Sequence, residues 1–329
     1  MERYILGIDG GGTETVGVLV KESGIIVGQG RVGPTNYQVV GGEKVKSEIH
    51  ILFQMLGLSQ PNPSSPVKQM YMGLAGAGRP SDRNEIKQLF SDISFIENVA
   101  VDSDAMIALA GAFGGEPGII IIAGTGSICF GKNDHGEVFR SGGWGYLLGD
   151  EGSGFFIGQQ AVMAALKDLD GRGEKTALRN AIEKHFNLSQ IDQIIPKIYK
   201  QEIDRAGISR LAPLVFETAQ ENDPVAADII RVAGIEQGKM AKAVAEKMAL
   251  LNKRIRVALI GGVFNQREIL ENEIAKELYE LSWDVEIIEP LYSPVIGAAI
   301  SALKEIGIDI NQKVLDNLKK SSITKSSGF

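Results

Sequence analysis

The sequence predicts an α/β protein of two domains built on one plan. An apolar strand that runs into a glycine turn and returns as a second strand occurs near the start of each half, at Arg3–Asp9 and again at Gly118–Ala123. Strand and helix patterns alternate through the remainder, as they do in α/β layers. The length agrees, because 329 residues exceed one ordinary core and suit two of comparable size.

The first strand ends in Asp9-Gly10-Gly11-Gly12-Thr13. Beyond this turn Thr15–Val20 is again β-branched and apolar, with a third strand over Gly24–Gly30. The turn is therefore a hairpin tip. A Rossmann or P-loop site would lead from strand into helix, so both of those readings fail on context. Helical spacing begins at Glu43 and places Val45, Ile49, Leu52, Phe53 and Leu56 on one face. A loop with Pro61, Pro63 and Pro66 comes next, then a strand over 67–74, a short helix over 81–90 and a strand ending at Val101-Asp102. Asp104–Ala112 reads as a helix of small residues.

In the second half Gly118–Ala123 runs into Gly124-Thr125-Gly126-Ser127, and Ile128-Cys129-Phe130 resumes as strand. Amphipathic helices are expected over 155–169 and 176–186. A long helix over 224–251 has Asp223 as its N-cap and Pro224 in its first turn. A strand over 256–260, the turn Gly261-Gly262, a helix over 266–281, a strand over 285–288 and a small-residue helix over 294–306 complete the pattern. The Lys/Ser-rich end, 319–329, is expected to fray. These readings divide the chain into domains at 1–112 and 113–304, with 305–329 available to return to the first.

Lys and Arg total 34 against 41 Asp and Glu, a net charge of −7, which gives no general attraction to nucleic acid or anionic membrane. A small-molecule partner is expected instead. Cys129 stands alone, so neither an internal disulfide nor a thiolate metal cluster can form, which suits a reducing compartment. The N-terminal MERYILGIDGGG lacks the apolar core of a signal peptide, and no apolar run approaches the ~20 residues of a membrane span. A cytoplasmic location is therefore expected. His50, His135 and His185 show no metal-ligand spacing.

Four features stand in order: Asp9-Gly-Gly-Gly-Thr13, Asp104-Ala105, Gly124-Thr-Gly-Ser127, and Gly261-Gly262 at a strand-to-helix turn. With Gly142-Gly-Trp-Gly145 and Gly149-Asp-Glu-Gly-Ser153, the chain resembles the ATPase superfamily shared by actin, sugar kinases and heat-shock chaperones. Within it the resemblance is to the N-acetylglucosamine kinase branch, grouped with the BadF/BadG/BcrA/BcrD-type ATPases. It covers about Tyr4 to Leu303. It implies two ribonuclease-H-like (actin-like ATPase) domains of mixed sheet plus helices with an interdomain cleft, a homodimer, and ATP-dependent phosphorylation of an amino sugar at its 6-hydroxyl, N-acetylglucosamine first.

The same resemblance assigns roles. Gly10, Gly11, Gly12 and Thr13 on one side and Gly124, Thr125 and Gly126 on the other would grip the nucleotide phosphates, because glycine lets backbone N–H groups approach closely. Asp9 would hold Mg²⁺, mostly through water. Asp104 would be the general base, with Asp102 as the alternative; the competing reading of Asp104 is a helix N-cap. Asn36, Ser127, Gly143, Trp144, Gly145 and Asp150 would surround the sugar, although Asn36 also suits a turn and Trp144 also suits a core. Gly261 and Gly262 would pass under adenosine, with Ala206 and Gly207 along the base. Ala105, Ala108, Gly297 and Ala298 would let two helices cross closely. One residue departs from the family pattern: Ile128 stands where a polar side chain commonly comes after the glycine loop.

Other functions weigh less. ATPase activators of reductases and dehydratases need cluster-binding cysteines, which Cys129 alone does not supply. An actin- or chaperone-like switch would need inserts or a peptide-binding domain. The zinc-containing glucokinases carry a Cys-rich motif missing here. N-acetylglucosamine, N-acetylmuramic acid, glucosamine and glucose are not separable from sequence.

Overall fold

Ile5, Leu6 and Ile8 are fully buried, on both faces of the first strand. That burial reflects its position at the centre of a sheet. The computed structural model describes residues 3–58 and 66–326; Pro61 and Pro63 of the proline loop lie outside them. The chain forms two compact units, Met1–Glu116 with Pro290–Phe329, and Pro117–Glu289.

In the first unit β1 (Tyr4–Gly10), β2 (Thr15–Lys21) and β3 (Ile26–Val32) form an antiparallel meander. Next come α1 (Tyr37–Met55), β4 (Val67–Leu74), α2 (Pro80–Gln88), β5 (Val99–Ser103) and α3 (Asp104–Ala112). Strand order is β3-β2-β1-β4-β5, with β4 parallel to both β1 and β5. The helix expected from Glu43 is preceded by one turn that breaks at Gly41, whose φ of 73° is non-helical. One face of the sheet packs on Val45, Ile49, Leu52 and Ile86 of α1 and α2.

The other face packs on α11 (Pro294–Glu305) and α12 (Gln312–Ser326). A side chain at Gly7 of β1 would stand 2.6 Å from the Ala299 backbone nitrogen, so α11 lies directly on β1. α11 and α3 cross with backbones touching, since a side chain at Gly297 would collide with the Ile107 carbonyl, and one at Gly111 would stand 2.7 Å from that of Ser293. Gly111 thus joins Gly297 as a residue that makes the crossing possible. Helix α11 packs within the first unit, whereas the sequence boundaries left 294–304 in the second. The fraying expected from Lys319 is corrected up to Ser326, because α12 continues through it and the Ser321 hydroxyl accepts the Ile26 N–H at 3.2 Å.

The second unit repeats the sheet. β6 (Gly118–Ala123), β7 (Ser127–Lys132) and β8 (Val138–Gly142) are the meander, and β9 (Ile255–Ile260) and β10 (Val285–Ile288) are the parallel strands. The order is β10-β9-β6-β7-β8. Between β8 and β9 come α4 (Gly154–Asp170), α5 (Leu178–His185), α6 (Ile194–Tyr199), α7 (Arg205–Ser209), α8 (Ala212–Gln220) and α9 (Pro224–Lys247). Asp223 caps α9 as expected, accepting the Ala226 N–H at 2.9 Å. A 3₁₀ turn over Gly262–Gln266 leads into α10 (Glu268–Tyr279). Neither β8 nor α6, α7 and α8 is apparent in the sequence pattern.

Candidate functional site

In the first unit the tip between β1 and β2 is closed by the Gly11 N–H, which donates to the Glu14 carbonyl at 2.9 Å. Gly12 and Thr13 are exposed at its apex. Gly10 is there for packing, because a side chain would collide with the Thr35 hydroxyl and Leu74. Thr35 in turn donates its N–H to the Gly11 carbonyl at 3.1 Å and shares a 2.8 Å hydroxyl contact with Thr15. These bonds pin the segment that carries Asn36 beside the tip. The Asn36 Oδ1 is buried with no hydrogen-bond partner. A side chain at Gly76, in the turn after β4, would stand 2.8 Å from that oxygen, so no larger residue fits there. An unsatisfied buried acceptor is costly and marks a place where a ligand donor fits.

Two carboxylates complete this unit's share. The Asp9 carboxyl is pushed up to about 6, chiefly by burial, then by the charges of Asp104 and Glu14. Asp104 is also raised by desolvation, partly offset by the Ala105 N–H that its Oδ1 accepts at 2.9 Å. Its side chain is reachable by solvent, yet protein atoms crowd its flanks. The N-cap position of α3 belongs to Ser103, and the Asp104 carboxylate bonds the N–H groups of Ala105 and of its own residue, which is not the capping pattern. Among the described residues no cation pairs with Asp9 or Asp104. Asp102 is committed elsewhere: it pairs with Arg83 at 3.0 Å and accepts the Tyr71 hydroxyl at 3.3 Å. The two carboxylates thus differ: Asp102 is held by side-chain partners, and Asp104 is not.

No described group of three or more His, Cys, Asp or Glu could enclose a metal ion. A divalent cation here would rest on one or two carboxylates, completed by water and phosphate oxygens, which is the habit of Mg²⁺. The unpaired charge of Asp9 and Asp104 fits that donor set.

In the second unit the Gly124 N–H donates to the Gly126 carbonyl at 2.9 Å, and the Gly154 N–H to the Gly124 carbonyl at 2.8 Å. This joins the glycine loop to the N-terminus of α4, where Ser153 caps Phe156 at 3.1 Å. Loop and helix end together border a cavity of about 470 Å³. Gly124, Thr125, Ala206 and Gly262 all line it, so four residues singled out from sequence converge. Gly124 and Gly262 have no other residue within 4 Å of a side-chain position, so nothing in the protein demands glycine there. Gly261, at φ 113°, is required by fold instead, since a side chain would collide with the Ala123 carbonyl. Gly207 also serves the fold: its N–H caps onto Asp204 at 2.7 Å, and it packs on Ile203.

Helix α8, hidden in the sequence, supplies Pro213 and Phe216 to the cavity, and Asn265 and Gln266 add polar atoms. An apolar wall with few polar groups and a helix N-terminus at one end suits a nucleotide, with phosphates at the positive end of the α4 dipole. Phe216 was the available signal, the one aromatic in the sequence between Tyr199 and Phe264, but nothing in its local pattern tied it to a site.

The Gly-Gly-Trp-Gly tract lies past β8. Trp144 is 67% exposed, which rules out the core reading, and the Arg140 guanidinium stacks over it at 4.3 Å. Arg140 also donates to the Gly143 carbonyl at 2.8 Å, bracing the loop. Ile128 packs beneath Gly143, an apolar support rather than a polar contact. Gly145 has open space around it. Ser127 and Asp150 are satisfied within the protein: Ser127 donates to the Glu151 carbonyl at 2.6 Å, and buried Asp150 pairs with Arg205 at 2.7 Å. A side chain at Gly126 would stand 2.7 Å from both members of that pair.

Two such units, each a 3-2-1-4-5 sheet with a glycine turn at the same strand junction, define the actin-like ATPase class. The model of the BadF/BadG/BcrA/BcrD ATPase family matches residues 6–302, and the chain belongs to that family. It is 36% identical, over 92% of its length and 99% of the relative's, to an N-acetylmuramic acid/N-acetylglucosamine kinase of Clostridium acetobutylicum. It is 30% identical to an N-acetyl-D-glucosamine kinase of Dictyostelium discoideum, over 92% of this chain and 98% of that one. A solved structure described as a putative N-acetylglucosamine kinase from Chromobacterium violaceum superposes with a TM-score of 0.69 at 28% identity, covering 92% of this chain and 99% of that one. No described helix is long and apolar enough to cross a membrane.

Proposed function

We propose that this protein is an ATP-dependent kinase that phosphorylates an amino sugar at its 6-hydroxyl, N-acetylglucosamine first. The observation that carries the reading is the cavity where Gly124, Thr125, Ala206 and Gly262 converge beside the N-terminus of α4. It takes the adenosine of ATP, with phosphates toward the glycine loop. In the first unit Asp104 accepts the proton of the sugar hydroxyl. The oxygen then forms its bond to the γ-phosphorus as the bond to the β-phosphate oxygen breaks, leaving ADP and the sugar phosphate. Asp9 would hold Mg²⁺, mostly through water, and the ion would supply charge neutralisation on the phosphates, while Thr13 at the exposed tip donates its hydroxyl to them. Asn36 offers its unpartnered acceptor to a sugar donor, and Gly143, Trp144, Gly145, Ser127 and Asp150 are the further sugar-binding residues that the family resemblance implies. A cytoplasmic location, the phosphate roles of Gly10, Gly11, Gly12 and Gly126, the passage of Gly261 under adenosine, and a homodimeric state complete the proposal.

The N-acetylmuramic acid named for the Clostridium relative makes that sugar the second reading. The test is a coupled ADP-release assay over N-acetylglucosamine, N-acetylmuramic acid, glucosamine and glucose. The N-acetyl sugars are expected to exceed glucose by roughly 10–100-fold in kcat/KM, because a plain hydroxyl leaves an acetamido-binding group unpaired. Phosphate on the product is expected at C6 by NMR. Glucose as the better substrate, or phosphate on C1, overturns the corresponding part.

A further inference from the structure

We infer that Arg83 is a positioning residue for the phosphotransfer, a guanidinium that ties the turn against Asn36 to the chain segment that aims Asp104. The inference rests on the roles proposed above for those two residues. Arg83 lies on the second turn of α2 and spends three of its donors within the first unit. Its Nε donates to the Ala77 carbonyl at 2.9 Å, Nη2 to the Gly78 carbonyl at 3.3 Å, and Nη1 pairs with Asp102 at 3.0 Å.

The first two bonds hold the turn after β4. That turn is anchored at its start by the Ala75 N–H, which donates to the Gly10 carbonyl at 2.8 Å. The Ala75 carbonyl accepts the Tyr37 N–H at 3.0 Å, and a side chain at Gly76 would stand 2.8 Å from Asn36 Oδ1. The third bond reaches the other substrate-side element. Asp102 Oδ1 accepts the Ser103 N–H at 2.8 Å, one residue before Asp104 opens α3. One planar fork therefore fixes both ends of the sugar-facing chain: the turn that walls Asn36, and the strand end that sets the base. Pair and fork are only partly exposed, 34% and 21% at Arg83 and Asp102, so solvent screens them incompletely.

A lysine carries the charge but cannot make three directed bonds from one plane, so a fork is what this arrangement needs. Misplacement of a base by a fraction of its bond length is enough to slow transfer substantially. The nucleotide cavity lies wholly in the second unit, and none of these bonds touches it. A positioning role therefore separates sugar kinetics from nucleotide binding, and a general loss of structure does not.

The test compares the full-length wild type with Arg83→Met, Arg83→Lys and Asp102→Asn. Arg83→Met is expected to raise the sugar KM and lower kcat, each roughly 5–20-fold, with nucleotide Kd within twofold of wild type. Arg83→Lys is expected to recover less than half of either loss. In hydrogen–deuterium exchange without ligands, Arg83→Met is expected to lose amide protection at 75–79 and 103–106 together. Asp102→Asn is expected to loosen 103–106 first, since it weakens one arm. The clamp is overturned if in Arg83→Met sugar kinetics stay within twofold, nucleotide Kd rises in parallel, or one segment loosens while the other does not. The exchange readout needs no substrate, so a wild type that phosphorylates no sugar refutes the proposed function while the clamp is still decided.

Discussion

The two units share a strand order but use their matching glycine turns in opposite ways. At the β1–β2 tip Gly10 is packed against Thr35 and Leu74, and the charge lies in the flanking carboxylates. At the β6–β7 tip Gly124 faces open space beside a cavity, and the buried carboxylate nearby, Asp150, is already paired with Arg205. One unit keeps carboxylates that no described cation pairs; the other keeps a cavity lined in part by Arg210, beside a carboxylate that is already paired. The crossover lengths agree with this division. The first unit bridges its meander to its parallel strands with α1, and the second inserts α4 to α9, three of which (α4, α7 and α8) line the cavity. A duplicated sheet can thus place reacting groups in one copy and a nucleotide grip in the other.

The largest test of this division is Asp104→Asn. Removing the base is expected to lower kcat by roughly 10²–10⁴-fold. Nucleotide Kd, measured by titration, is expected to stay within about threefold, because the cavity belongs to the other unit. Near-normal turnover removes Asp104 from the mechanism, and its role cannot pass to Asp102 while Arg83 and Tyr71 hold that carboxylate. A large loss of nucleotide affinity instead would erase the division itself.

A matched pair of glycine substitutions sharpens it next. Gly124→Ala adds a methyl where no protein atom lies within 4 Å, so stability is expected to hold while nucleotide Kd rises roughly 5–50-fold. Gly10→Ala drives a methyl into the Thr35 hydroxyl and Leu74, and is expected to cost about 1–3 kcal/mol in denaturant unfolding. Two equal losses of stability would mean that both turns answer to packing alone.

Legibility in the sequence divides along the same line. Both glycine turns, their flanking strands and the helix at Asp104 stand out because strand alternation broken by Gly-rich tips is a local signal. The wall of the nucleotide cavity does not stand out. α6, α7 and α8 span only 6, 5 and 9 residues, too few turns for a period to show. β8 is hidden because Arg140, Ser141 and Gly142 weaken its alternation, and its place is fixed by pairing with β7. Arg83 and Arg205 look like any surface arginine in the sequence, since their partners are 19 and 55 residues away. What distinguishes Asp102 from Asp104, and Trp144 from a core residue, is contact and exposure, which no local pattern encodes.

The smallest expected effect concerns the charge that the first unit keeps unpaired. Folding raises the Asp9 pKa from 3.8 to about 6, through burial first and the neighbouring carboxylates second. A carboxyl raised on folding adds nothing unfavourable below its unfolded value, where it is protonated in both states. Its ionisation then costs stability progressively as pH climbs through the folded value. Wild-type protein without nucleotide or Mg²⁺ should therefore lose stability between about pH 4 and 6 on this account. Asp9→Asn keeps the shape and discards the charge, so its advantage over wild type should be near zero at pH 4. Above pH 6 it should level off at about 1–2 kcal/mol, a figure reduced for the partial exposure of the site. Denaturant unfolding across that range measures it. Asp150→Asn in the second unit should do the reverse, lowering stability by stranding Arg205 without its partner. A gap between wild type and Asp9→Asn that is flat with pH, or of opposite sign, would show that the Asp9 charge is compensated within the fold. The contrast between an unpaired carboxylate in one unit and a paired one in the other would then fail at its central residue.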